Sequence, residues 1–314
     1  MGWLQQILSP SNANKYTLAH LKSLHSTLSR TPVNERNKAL IVESMRSMAE
    51  LLIWGDKNDP SFFEFFLENN VLAVFWNILA HSHSLVQIKV QLVQTLSILI
   101  QNIEAGPSVY YILSNDHINN LIRHPFDLSN EELLAHYVSL LKAIALRLDE
   151  HTVQFFIASA TAEGVGGAGV PRFALFDASL TLWTHEERMV RTAVRTIVLS
   201  ICRVPDAAVR AFVSASATLP DVMISSLRAD YAALLNGMSV ATNGDGERLD
   251  EALQLLLDEM YFFNDLLEAG DGLLSNHLLS GFLTRLVLPL LVAPLTPLPP
   301  HLALPPPPPP LVAI

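Results

Sequence analysis

Cysteine occurs once in this 314-residue sequence, at Cys202, so no disulfide can form within the chain. Charge is sparse as well. Only 16% of residues are Asp, Glu, Lys or Arg, and the acidic ones outnumber the basic by 30 to 20, a formal net charge of -10. A protein that draws its affinity from phosphates needs a basic excess, so no nucleic-acid partner is expected. Asn-x-Ser/Thr acceptors for glycosylation are missing throughout. The opening residues Met1-Gly2-Trp3-Leu4 carry neither the basic start nor the apolar run of a signal peptide. Long apolar runs are missing too. The most apolar stretch, 286–295, contains Pro289 and Pro294 and is half the roughly 20 residues that a spanning helix needs. These absences predict a cytoplasmic protein with no transmembrane segment, with room for peripheral attachment to a membrane.

What the sequence does have is apolar side chains, half of all residues. They recur at helical spacing, and no run of strict alternation marks a strand. The spacing predicts helices over 16–29, 33–54, 61–68, 71–79, 86–103, 130–148, 172–183, 186–204, 247–267 and 276–288. Pro32 suits the first turn of the second helix, and Ser129 with Glu132 reads as a capping box for the sixth. The fold class is all-α.

The longer helices also repeat. Val93, Leu96, Ile100 and Ile103 superimpose on Val138, Leu141, Ala145 and Leu148 at an offset of 45 residues, and on Val194, Ile197, Ile201 and Val204 after 56 more. The aromatic pairs Phe65-Phe66, Tyr110-Tyr111 and Phe155-Phe156 precede these helices in turn. A period of about 45 residues is that of armadillo and HEAT units, each of which buries its apolar face only by stacking on its neighbours. An armadillo/HEAT-like solenoid is therefore expected, divided as an N-terminal segment 1–15, a helical repeat domain 16–293 and a proline-rich disordered tail 294–314. Within the repeat domain, 160–171 reads as a Gly-rich loop and 239–247 as a flexible linker. Six consecutive prolines, Pro305 to Pro310, favour polyproline II. They serve as a spacer or as a docking site for a proline-binding domain.

No set of catalytic signatures converges in the sequence. Gly164-x-Gly166-x-x-Gly169 spells a dinucleotide fingerprint but lacks the strand before it that the motif requires, so a loop is the better reading. His81-Ser82-His83 has no carboxylate or cysteine at ligand spacing, which leaves solvated loop histidines. Cys202 sits in an apolar stripe, the setting of a buried thiol rather than a reactive one. No enzyme activity, metal or cofactor is expected. Charge patterning offers more. Arg188, Arg191 and Arg195 share one helix face at i, i+3 and i+7. They either pair with acidic residues such as Glu131, Glu132, Glu186 and Glu187 or bind an acidic partner. Gln91 and Gln94 give their helix a polar stripe that serves as a solvated face or a second partner contact.

Several runs together resemble the FPL-domain family. They are Trp54-Gly55-Asp56-Lys57-Asn58-Asp59, Phe65-Phe66-Leu67-Glu68, Val90-Gln91-Leu92-Val93-Gln94-Thr95-Leu96, and Tyr110-Tyr111 with Ser114-Asn115. Further along come Phe126-Asp127-Leu128-Ser129-Asn130-Glu131-Glu132, Met189-Val190-Arg191, Ala193-Val194-Arg195-Thr196, Asp265, His277-Leu278-Leu279 and Leu288-Pro289-Leu290. The likeness runs in order from about residue 16 to 290. The resemblance implies a scaffold or adaptor in endosomal trafficking and autophagy, with partners in the Rab, tethering and autophagy machinery. An alternative it allows is a factor that promotes nucleotide exchange on Rab GTPases, and an enzyme with an unrecognised pocket is a third. Family members continue where this chain turns to proline, which suggests a shortened form.

Overall fold

The computed structural model describes residues 16–83, 85–114, 116–158, 172–240 and 246–295. Helices dominate them, as the periodicity predicts. The chain gathers into two compact units, residues 1–215 and 216–314.

The first unit is the repeat array. Its helices are α1 (Leu18–Arg30), α2 (Lys38–Asn58), α3 (Ser61–Glu68), α4 (Val71–His81), α5 (Val86–Asn102), α6 (Gly106–Ser114), α7 (Asp116–Arg123) and α8 (Glu131–Ala145). A 3₁₀ turn (Thr152–Phe155) and two short strands, β1 (Ile157–Ala158) and β2 (Arg172–Phe173), precede α9 (Ala174–Thr181), α10 (Arg188–Cys202) and α11 (Ala207–Ala215). The four long helices α2, α5, α8 and α10 pack side by side in chain order. The stripe that repeats in the sequence is the stripe they bury: Val93, Leu96 and Ile100, then Val138, Leu141 and Ala145, then Val194, Ile197 and Ile201. Met45, Met48 and Leu52 of α2, also buried, extend it one unit toward the N-terminus at an offset of 48. Methionine hides this unit from a search for branched aliphatics.

The aromatic pairs lock the shorter helices in the same order. Phe66 meets the Tyr111 ring edge-on with centroids 5.9 Å apart, and Tyr110 meets Phe155 at 6.4 Å. Ring pairs of this geometry each add about 0.5–1.5 kcal/mol beyond the area they bury. Each repeat thus has two joints to the next, one aliphatic and one aromatic.

Local signals moved some boundaries. Pro32 does not open α2. Instead residues 32–37 form a turn in which the Asn37 side chain donates to the Pro32 carbonyl at 3.0 Å, and the helix starts at Lys38. The cap of α8 is Asn130, whose Oδ1 accepts from the Leu133 N–H at 2.9 Å, because Ser129 is already held by Asp127. Residues 172–173 pair antiparallel with 157–158 before α9 begins. Gly164, Gly166 and Gly169 lie outside the described residues. Helices α6, α7 and α11 were not predicted. α6 opens on Gly106-Pro107, with Pro tolerated in a first helical turn, and α7 has only three apolar residues, Ile118, Leu121 and Ile122.

The second unit holds α12 (Thr218–Val240), also unpredicted, α13 (Gly246–Ala269) and α14 (Gly272–Phe282). The last runs directly into a π-helix (Leu283–Val292) and a 3₁₀ turn (Ala293–Leu295). Met223, Ile224, Leu227, Phe262, Leu266, Leu274 and Leu278 form its core, and Phe263 stacks on Phe282 at 5.0 Å. Pro289 was expected to break this stretch and does not. The wider i→i+5 turn relieves the clash of a proline ring with the carbonyl four residues back, so the helix continues. Gly272–Leu295 is consequently 24 residues long, and by length and composition alone is sufficient to cross a membrane. Arg285, its one Lys, Arg, Asp or Glu, is ion-paired with Asp221 of α12. Residues 296–314, including Pro305 to Pro310, lie outside the described residues.

Candidate partner-binding surface

The run Trp54 to Asp59 builds the joint between the first two repeats. Trp54 stacks on Tyr16 with centroids 5.2 Å apart and meets Phe62 edge-on at 5.3 Å. Gly55 is packed so tightly that a Cβ there would lie 2.3 Å from the Phe62 Cβ. The Asp56 carboxylate accepts from the backbone N–H groups of Glu104 and Ala105 at 2.8 and 3.1 Å, just ahead of α6. Lys57 reaches Glu104 at 2.7 Å, the Asn58 amide donates to the Trp54 carbonyl, and Asp59 accepts from the Ser61 N–H. A short, conspicuous motif therefore has a structural use at each residue.

Beside this joint, α2 and α5 enclose a groove of about 310 Å³ lined by Arg46, Ala49, Glu50, Gln91, Gln94, Thr95 and Ile98. Gln91 is buried and fully engaged. Its Oε1 accepts from Arg46 Nη2 at 3.1 Å, and its Nε2 donates to Thr95 Oγ1 at 3.1 Å. Arg46 is braced in turn by Glu43 at 3.0 Å. This network fixes the groove wall with every buried polar atom of Gln91 satisfied, which is the condition for a rigid polar surface. Gln94 lies half-buried on the same wall and makes no hydrogen bond with a described residue. Its amide therefore presents a donor and an acceptor to the groove, the pair that a partner's backbone or polar side chain needs. The polar line continues along α5, where Gln101 donates to Ser97, and crosses to α8 at Ser139, 3.3 Å from the Ser97 hydroxyl. Gln91 and Gln94 were legible from their spacing. Arg46 was not, although counting the repeat offset back from Gln94 reaches it.

The three arginines of α10 have separate fates. Arg191 folds back over the turn ahead of the helix, and its Nη1 donates to the carbonyls of His185 and Glu186 at 2.7 and 2.8 Å. It contacts the backbone of Glu186 rather than its carboxylate. Arg188 is exposed in the first turn and Arg195 is half-buried two turns on. In the register that aligns Val194 with Val93, Arg188 stands where Gln87 does and Arg195 where Gln94 does. The ladder thus continues the α5 polar face in register across the repeats.

Other polar features are structural. His81 sits at the end of α4 with Nδ1 2.8 Å from the Asn77 carbonyl, and the buried Ser82 donates to the Leu79 carbonyl at 2.7 Å. Burial pushes the Cys202 thiol up to about 12, which suppresses the thiolate that any nucleophilic role requires. Among the described residues, no group of three or more His, Cys, Asp or Glu could hold a metal ion.

Comparison with known proteins matches this architecture to one family. The profile of the FPL family, described as an uncharacterised conserved protein, matches residues 45–202. The chain is 37% identical over 298 residues to mouse Protein CLEC16A, covering 92% of this chain and 28% of that protein. It is 36% identical over 286 residues to Protein TRANSPARENT TESTA 9 of Arabidopsis thaliana, covering 89% and 33%. The Drosophila melanogaster CLEC16A homolog is 36% identical over 296 residues, covering 91% and 26%. The chain thus spans about a quarter to a third of the length of these relatives. Among solved structures, an engineered protein overlaps 83% of this chain and 94% of its own at 14% identity and a TM-score of 0.46. With the family profile running from within α2 to the last residue of α10, the four stacked helices, the chain belongs to the FPL family.

Proposed function

We propose that this chain is a protein-binding scaffold or adaptor in endosomal trafficking and autophagy, working with Rab GTPases, tethering factors or autophagy proteins on the cytoplasmic face of endosomal or autophagic membranes. The binding half of this reading is supported by one observation. The α2/α5 groove offers an uncommitted Gln94 amide against a wall already braced by Arg46, Gln91 and Thr95. The trafficking half is supported by membership of the FPL family and the resemblance stated above. No catalytic role is assigned to the chain. Its lone thiol is buried.

The test is affinity capture with the full chain from lysate of its native organism, read by mass spectrometry, beside a Gln94→Arg, Arg188→Glu variant. Recovery of Rab, tethering or autophagy proteins by the native chain, and their loss with the variant, is expected. Equal recovery by both would overturn the groove assignment. Faster release of labelled GDP from a recovered Rab would replace the scaffold with an exchange factor.

A further inference from the structure

A second concavity of the repeat unit, of about 430 Å³, lies between the end of α7, α8, β2 and α9. Two arginines reach it from different elements, Arg123 in the last turn of α7 and Arg172 on β2. The carboxylate in its lining is that of Asp177, in the first turn of α9. Neither guanidinium is hydrogen-bonded or within ion-pair distance of any described residue, so among the described residues their ten N–H donors are unclaimed. Partial burial pushes the Asp177 carboxyl above the usual carboxylate range, and the two arginines oppose this through space. The walls are apolar, with Leu128, Leu182 and Tyr137 among them, and the Tyr137 hydroxyl is already committed to the Ile122 carbonyl at 2.7 Å.

The charge balance selects the ligand. Two cations against one anion leave the cleft one positive charge in a chain whose net charge is -10. One carboxylate restores neutrality, whereas a phosphate dianion would leave an excess of negative charge beside Asp177. An anionic bilayer would meet an acidic protein with two arginines only, well short of the basic cluster that lipid headgroups require. Apolar walls next to paired guanidiniums suit an acidic side chain with a branched aliphatic neighbour. Resting on the protein-binding reading above, we propose that this cleft captures an acidic–apolar segment of a partner protein, its carboxylate bridging Arg123 and Arg172 and its aliphatic side chain lying on Leu128 and Leu182.

The probe is acetyl-Leu-Glu-Leu-amide, titrated into the full chain and followed by the NMR signals of the arginine Nε–H groups. A tripeptide of this size is expected to bind at about 1 mM, and acetyl-Leu-Gln-Leu-amide roughly tenfold more weakly, the ratio that about 1.4 kcal/mol produces. Arg123→Gln and Arg172→Gln should each weaken the Glu peptide several-fold with unchanged circular dichroism. Asp177→Asn should tighten it, since the competing carboxylate is gone. Equal affinity for the Glu and Gln peptides, or weaker binding by Asp177→Asn, would overturn the proposal. So would tighter binding of acetyl-Leu-phosphoserine-Leu-amide, or of phosphoinositide vesicles. If the peptide result is negative while native partner capture still depends on Gln94, the cleft is refuted and the scaffold reading stands. The reverse pattern refutes the α2/α5 groove alone.

Discussion

Arg147 closes the helix that ends near Ile103, in the repeat before its own. Its Nε donates to the Ile100 carbonyl at 2.9 Å, and its Nη2 donates to those of Gln101 and Ile103 at 2.8 and 2.9 Å. The last turn of any helix leaves carbonyls without partners and carries partial negative charge, and a guanidinium answers both needs. Asp56 does the complementary service one joint earlier, accepting the N–H groups ahead of α6. Neighbouring repeats are thus fastened by charged side chains on main-chain groups as well as by apolar burial.

Replacing Arg147 should therefore loosen the array more than an ordinary surface change. Arg147→Met keeps much of the apolar stem but strands three carbonyls, and a loss of about 2–3 kcal/mol is expected. Urea denaturation followed by circular dichroism measures it. A loss under about 0.5 kcal/mol would show that water replaces the guanidinium without cost.

Gly55→Ala should be among the most damaging small substitutions, because its methyl would lie 2.3 Å from the Phe62 Cβ, 2.6 Å from its Cγ and 3.0 Å from its Cδ1. Overpacking at such a contact costs about 1–3 kcal/mol. Gly272→Ala is the control, since nothing lies within 4 Å of its added carbon, and reduced freedom of the unfolded chain should stabilise by about 0.4–1 kcal/mol. Melting temperatures of the pair should move in opposite directions.

Stability should fall in alkali. Burial pushes Tyr137 up to about 12 from 10.0 and Cys202 up to about 12 from 9.0. Above their unfolded values the unfolded chain loses these protons while the folded chain keeps them. Stability from both groups is thus present below about pH 9 and is lost as pH rises toward 12. Tyr137→Phe should flatten the upper part of that decline while lowering neutral stability by about 1 kcal/mol, for the lost bond to the Ile122 carbonyl. Denaturation midpoints from pH 7 to 11 provide the check. A midpoint that does not change over this range would contradict it.

The arginines of α10 should separate by phenotype. Arg191→Glu removes two hydrogen bonds to the turn at His185 and Glu186 and should lower stability by about 1–3 kcal/mol. Arg188→Glu, in the exposed first turn, should leave the melting temperature nearly unchanged and reduce partner capture. Loss of folding in Arg188→Glu would assign it to the scaffold instead.

The outer face of Gly272–Leu295 exposes Leu273, Leu279, Leu283, Leu288 and Leu291 while Leu274, Leu278 and Leu286 pack inward. A helix apolar on both faces calls for cover, and peripheral lipid contact would provide it. Phosphatidylcholine vesicles should co-sediment with the chain, and Leu283→Ser with Leu288→Ser should weaken this by about tenfold or more. Unchanged sedimentation would remove lipid as that cover.

The repeat period, the aliphatic stripe and the aromatic pairs were all readable in one dimension, because each reflects a burial demand that recurs with every unit. Val93, Val138 and Val194 are such positions, and so are Phe66 and Tyr111. The short helices α6 and α7 were not readable, since α6 opens on Gly106-Pro107 and α7 has only Ile118, Leu121 and Ile122 as apolar residues among polar ones. Nor was the true cap of α8, where Ser129 was taken by Asp127. At the α2/α5 groove, spacing placed Gln91 and Gln94 on one polar stripe but could not show that one is locked and the other open.

Sequence by itself determined the all-helical class, the solenoid register and the residues of the buried stripe, since helix period and apolar burial are local properties of the chain. Tertiary structure alone decided that Arg46 braces Gln91 across 45 positions, that Arg147 belongs to the repeat before its own, and that Arg123, Arg172 and Asp177 face one cleft. Those relations depend on which helices lie side by side. Side-chain hydrogen bonds reach about 3 Å, a distance that only packing sets.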